Sequence, residues 1–299
     1  MEMSRDLVGL RVAAVHAHPD DEAIWTGGVL ADLAHRGADV TVITCTLGEQ
    51  GEVLGERYQA LIAAASDQLG GFRISELRES LRILGVRGEY LGGAGRWRDS
   101  GMVDDPANEH PRAFIHSGAE AERQLTEMFN ELRPHLVITY GPDGGYGHPD
   151  HIRAHEITHV AAANAFISPQ RVLWAVTPGA LLRRGCEAIA EIPVGWRRAD
   201  DEIACVESWD VEVRLSDAAM AAKLGAMKAH PTQLWVADGS VSDVNARAAV
   251  ASLSTCSDAV AVFALSNLIA QPLLRVETYQ LGAGESFTAG VDVAEGLEF

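Results

Sequence analysis

Apolar runs and helix-like periodic stretches alternate along the first 168 residues, and that alternation sets an architecture before any single residue is weighed. The run Val12-Ala13-Ala14-Val15 has no polar face, which suits a parallel strand covered on both sides, over Leu10 to Ala17. From Glu22 to Arg36 the apolar positions Ile24, Leu30, Leu33 and Ala34 recur at helical spacing, and Gly37 supplies the stop, although Gly27-Gly28 weakens the middle. Asp39 to Cys45 reads as a second strand. Tyr58 to Leu69 and Ile74 to Leu84 read as two helices separated by Gly70-Gly71-Phe72-Arg73, and Glu89 to Leu91 as a short third strand. A helix over Glu120 to Leu132, a strand over His135 to Tyr140 and a helix over His151 to Phe166 complete the series. The pattern predicts an α/β, Rossmann-like fold: a mostly parallel sheet with helices on both faces.

After Ser168 the rhythm changes. Strands are expected over Arg171 to Val176, Ile203 to Val206, Trp209 to Arg214 and Thr278 to Leu281, with helices over Ser216 to Lys228 and Val260 to Leu268. No Gly/Ser-rich or Pro-rich linker intervenes. Residues 1–168 are therefore expected to form the catalytic core, and 169–299 a C-terminal α+β region packed against the sheet and completing the substrate pocket. The irregular stretch from Gly92 to Gly118, with Trp97, Arg98 and Asp99, has the length of a binding loop.

Composition removes several function classes. A chain of 299 residues with 47% hydrophobic content suits one large α/β domain or two modest ones. No apolar stretch reaches the roughly 18 residues of a membrane helix, and Met1-Glu2-Met3-Ser4-Arg5-Asp6 lacks the basic-then-apolar pattern of a signal peptide. A cytoplasmic protein is the expectation. The net charge of -18 disfavours nucleic acid and anionic membranes as partners, because both reward clustered Lys and Arg. Cys45, Cys186, Cys205 and Cys256 are far apart, which predicts free thiols.

The chemistry gathers in two loops. Ala17-His18-Pro19-Asp20-Asp21-Glu22 follows the first strand, and Tyr146-Gly147-His148-Pro149-Asp150-His151 follows the run Leu136 to Tyr140. Each loop leads from a strand into a helix, so both are expected at the carboxyl edge of the sheet, where open α/β folds bind ligands. So much charge in so few positions asks for a partner. A hydrolytic zinc needs three protein ligands and one open position, and His18, Asp21 and His151 meet that requirement. Asp20 stays free for acid/base work. The bland alternative makes the histidines satisfied loop residues and Asp21 a helix cap; it suffices for either loop alone but poorly for both.

A competing motif lies alongside. His155-Glu156-Ile157-Thr158-His159 matches H-E-x-x-H, and His151, His155 and His159 fall on one helix face. That face would define a zinc peptidase, yet it leaves the two His-Pro-Asp loops unexplained. Gly92-Gly93-Ala94-Gly95 begins like a dinucleotide loop, but Arg98 stands where the third glycine belongs.

Together the two His-Pro-Asp segments resemble the signature of the zinc-dependent N-acetylglucosaminide deacetylases, a family with a Rossmann-like fold. The stretches Asp67 to Arg73, Leu91 to Met102 and Gly144 to His151 are similar to those of its branch that removes acetate from N-acetylglucosaminyl-inositol in mycothiol synthesis. The likeness is dense over residues 10–165 and looser beyond, where Lys228-Ala229-His230-Pro231-Thr232-Gln233 is also similar. The resemblance implies His18, Asp21 and His151 as ligands of one Zn²⁺, with Fe²⁺ as the alternative ion, and Asp20 as general base. It implies that Tyr146 and His148 polarise the acetyl carbonyl, that Asp150 orients a histidine, and that Arg73, Asp99 and Glu52 hold a small sugar-inositol substrate. The proton for the leaving amine comes either from Asp20 or from a protonated His148 whose basicity Asp150 raises. The rival functions are a mycothiol S-conjugate amidase, the H-E-x-x-H peptidase, and a non-catalytic sugar-binding protein.

Overall fold

The computed structural model of the chain describes residues 5–254 and 258–299. Its first half runs β1 (Arg11–His16), α1 (Asp21–Trp25), α2 (Gly27–His35), β2 (Asp39–Thr44), α3 (Leu69–Leu84), β3 (Arg87–Tyr90), α4 (Gly118–Leu132), β4 (Leu136–Tyr140) and α5 (Pro149–Asn164). Next come β5 (Arg171–Val176), α6 (Gly179–Ala188), β6 (Ile189–Glu191), β7 (Arg197–Arg198), β8 (Val211–Arg214) and α7 (Asp217–Lys228). Then β9 (Trp235–Val236), β10 (Ser252–Leu253), β11 (Ala259–Ala264), β12 (Ile269–Leu274) and β13 (Val276–Gly284) close the chain.

Seven strands form the central sheet in the order β3-β2-β1-β4-β5-β13-β8. The first five are parallel, and β13 lies antiparallel between β5 and β8. Successive residues of β1 explain its unbroken apolar run: Val12 and Ala14 enter the core under α2, α3 and α7, while Ala13 and Val15 enter the opposite core under α4 and α5. Both faces are thus covered by helices. The C-terminal region does more than pack against the sheet, because β5, β8 and β13 extend it. A four-stranded sheet (β7-β12-β11-β9) and the β6–β10 pair sit beyond. No helix of the described residues is long and apolar enough to cross a membrane.

The structure departs from the expected elements in several places, and the short strands β6, β7, β9 and β10 and the longer β12 were not expected at all. The helix from Glu22 to Arg36 is split at Thr26, whose hydroxyl donates back to the Glu22 carbonyl at 3.1 Å. The new N-terminus of α2 is capped from a distance: Gly28 and Val29 amides donate to the Glu277 carboxylate at 2.8 Å each, and Lys223 pairs with it at 2.5 Å. Glycine at 28 leaves room there for the Leu215 side chain, whose Cδ1 would lie 2.3 Å from a Cβ. No α-helix covers Tyr58 to Leu69, where there is one 3₁₀ turn at Gln59–Leu61; instead Gly70-Gly71-Phe72-Arg73 lies inside α3, whose inward Leu69, Leu77, Leu81 and Leu84 outweigh the glycine penalty. The segment expected as a helix from Val260 is β11, paired as a hairpin with β12; a short apolar run fits both periods. Ile203 to Val206 forms no strand, only a single bridge from Val206 to Pro178, and α6 was not expected. Cys45, Cys186 and Cys205 are free thiols, whereas Cys256 and Met1–Ser4 lie outside the described residues.

Candidate active site

The strand order reverses between β1 and β4: from β1 the chain builds outward to β2 and β3, and from β4 in the other direction. The two His-Pro-Asp loops leave the carboxyl ends of these adjacent strands and meet at that switch point. Each loop is locally fixed. His148 caps α5 by accepting the Asp150 amide on Nδ1 at 3.1 Å, and Pro149 opens the helix. Asp20 holds a positive φ of 102°, a strain of about 1–3 kcal/mol for a residue with a Cβ, which the surrounding contacts must impose.

Three donor atoms converge. His18 Nδ1 lies 3.2 Å from His151 Nε2, and Asp21 Oδ2 lies 3.4 Å from each. Four-coordinate zinc at ligand distances of about 2.0–2.1 Å needs ligand–ligand edges of about 3.3–3.4 Å, so the triangle has the right size. The tautomers agree. His151 Nδ1 donates to the Gly144 carbonyl at 3.0 Å, leaving Nε2 with its lone pair, and His18 Nε2 faces the Asp150 carboxylate at 3.3 Å, leaving Nδ1 bare. Two imidazole nitrogens and a carboxylate oxygen thus face one another at the spacing that ligands of a shared cation take. The surrounding charge favours a cation at this place: burial alone would depress His18, yet Asp99, Asp150 and Asp21 hold its pKa well above the ordinary value. Burial would raise Asp21, yet His151 and His18 keep it well below, so it stays a carboxylate. The donor set therefore fits a divalent metal ion. Tyr140, taken from the sequence only as the end of a strand, closes the site from beneath by donating to Asp21 Oδ2 at 2.6 Å and accepting the Ala17 amide at 2.8 Å.

Asp20 stands beside this triangle rather than in it. Burial pushes its pKa up to about 6, against the opposing pull of the Arg73 guanidinium 3.1 Å away. Arg73, expected to hold sugar, lines the cavity over the triangle; two of its guanidinium nitrogens engage the Pro19 and Gly48 carbonyls and Asp20, and its Nε–H has no protein partner among the described residues. It braces the base loop. Glycine at 48 makes this possible, with φ 65° and no room for a Cβ beside the Arg73 Nη1. The histidine that Asp150 faces is His18 rather than His148. The Asp150 side chain accepts the Ser100 amide at 2.9 Å and faces His18, whereas only its backbone amide touches His148. Burial, with His18 and His151 nearby, lowers the His148 pKa to about 3. His148 is thus a neutral imidazole whose Nε2–H is a donor, which argues against the protonated reading. Asp99 is buried 3.6 Å from His18 Nε2 and accepts the Gly101 and Gln50 amides. Glu52 is exposed at the rim, its carbonyl accepting from Gln233. Tyr146 is 50% exposed, its ring 6.0 Å from His148 and 5.0 Å from His151. It is flanked by glycines at 145 and 147, whose φ of 80° and 84° a residue with a Cβ rarely adopts.

The H-E-x-x-H face turns elsewhere. His155 Nδ1 donates to the Tyr140 carbonyl at 2.9 Å, His159 Nε2 accepts from the Trp174 indole at 2.8 Å, and Glu156 is exposed and paired with Arg153. The helix shares only His151 with the donor triangle. His155→Ala is expected to leave bound metal at the wild-type level, measured by elemental analysis of the purified variant; loss of the metal would restore the peptidase reading.

A cavity of about 610 Å³ opens over the triangle, lined by Asp20, Glu52, Asp99, Met102, Tyr146 and His148 among others, with β11 and β12 forming its far wall. The class is thereby defined: an α/β protein whose switch-point edge carries a metal-type donor set and a separate carboxylate, the equipment of metal-assisted hydrolysis. The chain belongs to the PIG-L, GlcNAc-PI de-N-acetylase, family, whose profile matches residues 13–162. It is 64% identical over 294 residues, 98% of this chain and 99% of the relative, to the Corynebacterium diphtheriae protein named 1D-myo-inositol 2-acetamido-2-deoxy-alpha-D-glucopyranoside deacetylase. A Nocardia farcinica protein of the same name is 47% identical over 94% of this chain and 93% of its own. The N,N'-diacetylchitobiose deacetylase of Pyrococcus horikoshii shares the fold, with a TM-score of 0.50 and 20% identity over 74% of this chain and 69% of that one.

Proposed function

We propose that the protein hydrolyses the acetamide of 1D-myo-inositol 2-acetamido-2-deoxy-alpha-D-glucopyranoside, releasing acetate and the free amine, the deacetylation of mycothiol synthesis. The observation that carries this reading is the whole-length identity to the Corynebacterium diphtheriae deacetylase, combined with a complete donor set. In this reading His18, Asp21 and His151 hold one Zn²⁺ ion, or Fe²⁺, since both accept such ligands. A cation held there acts as a Lewis acid toward the amide oxygen and makes water more acidic.

The chain's own groups do the remaining work. Asp20, with its raised pKa, takes the proton of the attacking water as the tetrahedral carbon forms, then returns it to the departing nitrogen. The His148 Nε2–H and the Tyr146 hydroxyl donate to the oxyanion. Tyr146 closes over bound substrate. Asp150 and Asp99 hold His18 in its tautomer. Glu52 at the rim, with Arg73 and Asp99 on the cavity wall, contacts the sugar or inositol hydroxyls, and Arg73 also holds Asp20 in position. Residues 1–168 carry both loops, while 169–299 supply the far wall of the cavity.

The test is acetate release from this substrate beside cleavage of a mycothiol S-conjugate, with purified protein. Acetate release is expected to be the faster reaction. Faster conjugate cleavage would keep the site and overturn the substrate.

A further inference from the structure

The strain at Asp20 needs a cause, and the hydrogen bonds trace it into the C-terminal region. Asp20's backbone amide donates to Glu22 Oε2 at 2.9 Å. Glu22 is fully buried, so its other oxygen cannot be left to water. Oε1 accepts from two side chains: Ser80 on α3 at 2.5 Å and His230 Nε2 at 2.7 Å. His230 is itself fully buried, immediately after α7. The residues that follow grip the same edge. The Thr232 amide and hydroxyl donate to the two oxygens of Glu76 at 3.0 and 2.7 Å, the Thr232 carbonyl accepts the Leu54 amide at 2.8 Å, and Gln233 donates to the Glu52 carbonyl at 2.9 Å.

We propose that His230 is a positioning residue for the reaction: by holding Glu22, it fixes the backbone of Asp20 and aims the base. The proposal rests on the reading of Asp20 as general base. A carboxylate held by Ser80 and His230 is a rigid acceptor, and it fastens the one amide that must stay put for Asp20 to keep its φ. Released from His230, Glu22 is free to rotate toward Ser80 alone, and Asp20 can relax out of its strained backbone. Substrate contacts at the rim do not pass through His230, so KM should be insensitive. The donor triangle is held separately by Tyr140, Gly144 and Asp150, so metal should stay.

The discriminating pair is His230→Gln against His230→Asn. Glutamine places an N–H near the position of Nε2, where it still reaches Glu22; asparagine places it near Nδ1, where it does not. The asparagine variant is expected to lose about 10- to 100-fold in kcat, with KM within about twofold and metal content unchanged, and the glutamine variant to recover to within about threefold of wild type. Equal kcat in the two variants, a change in KM alone, or loss of metal would overturn the assignment. Should the asparagine variant fail to fold, Ser80→Ala takes its place, removing the other donor to Oε1; a fall in kcat of about 3- to 10-fold with KM and metal unchanged is expected, and unchanged kcat overturns the proposal. Asp20→Ala runs alongside. If that variant keeps full activity the base reading itself falls; if it is dead while His230→Asn and His230→Gln match, only the role of His230 falls.

Discussion

Replacing Asp20 by alanine is expected to lower the deacetylation rate by about 10²- to 10⁴-fold while the metal stays bound, the range of a positioned general base. The separation of the two effects follows from geometry. Asp20 and Asp21 are neighbours in sequence, but the strained φ at Asp20 turns their carboxylates apart: Asp21 points at the two histidines and Asp20 at Arg73. Only Asp20 has the pKa of a base useful near neutrality, because burial raises it to about 6 whereas Asp21 is held far lower by its histidines. Steady-state kinetics and elemental analysis on one preparation check both halves. Loss of metal with Asp20 would mean that base and ligand have been exchanged in this account.

The second large effect is expected at His151. His151→Ala removes one corner of the triangle and leaves the His18 and Asp21 donors to bind alone, so metal content should collapse at concentrations that saturate the wild type. The loss in affinity should exceed the roughly 10- to 100-fold typical of residues that merely orient a ligand. Activity should fall with occupancy. Isothermal titration of chelator-treated wild type and variant with Zn²⁺ measures this, and equal affinity in both would remove His151 from the site.

Much of the active site was visible in the chain because its residues sit next to strand ends. An apolar run followed by His-Pro-Asp gives both the address and the chemistry, and two such loops at a reversing strand order have to meet. The residues that brace the site were much harder to see. Glu22 read as the start of a helix and Tyr140 as the end of a strand, because their partners lie over 100 residues away in sequence or across the sheet. His230 lies in a segment with recognisable character, yet nothing local says that it reaches beneath Asp20. At Arg73 the loop suggests a sugar contact, and only the packing adds that the same guanidinium also holds the Pro19 and Gly48 carbonyls and Asp20.

The fold was legible where period and burial agree and illegible where they conflict. Four of the five parallel strands, β1, β2, β4 and β5, are largely buried and were found, whereas the exposed edge strand β3, Arg-Gly-Glu-Tyr, was caught only at its end. At α3 the glycines at 70 and 71 suggested an interruption that the leucines on its inner face override. At β11 the run Ala259–Ala264 satisfies helix and strand alike, and its pairing with β12 decides.

The central claim is that one metal ion in the His18, Asp21 and His151 triangle drives deacetylation. The most direct measurement strips the protein with a chelator and titrates Zn²⁺ back while following acetate release from 1D-myo-inositol 2-acetamido-2-deoxy-alpha-D-glucopyranoside. Activity should be absent in the stripped protein and rise linearly to a break at about one ion per chain, the occupancy of a three-ligand site with one open position. Full activity in the stripped protein, or a break at two ions, would contradict it.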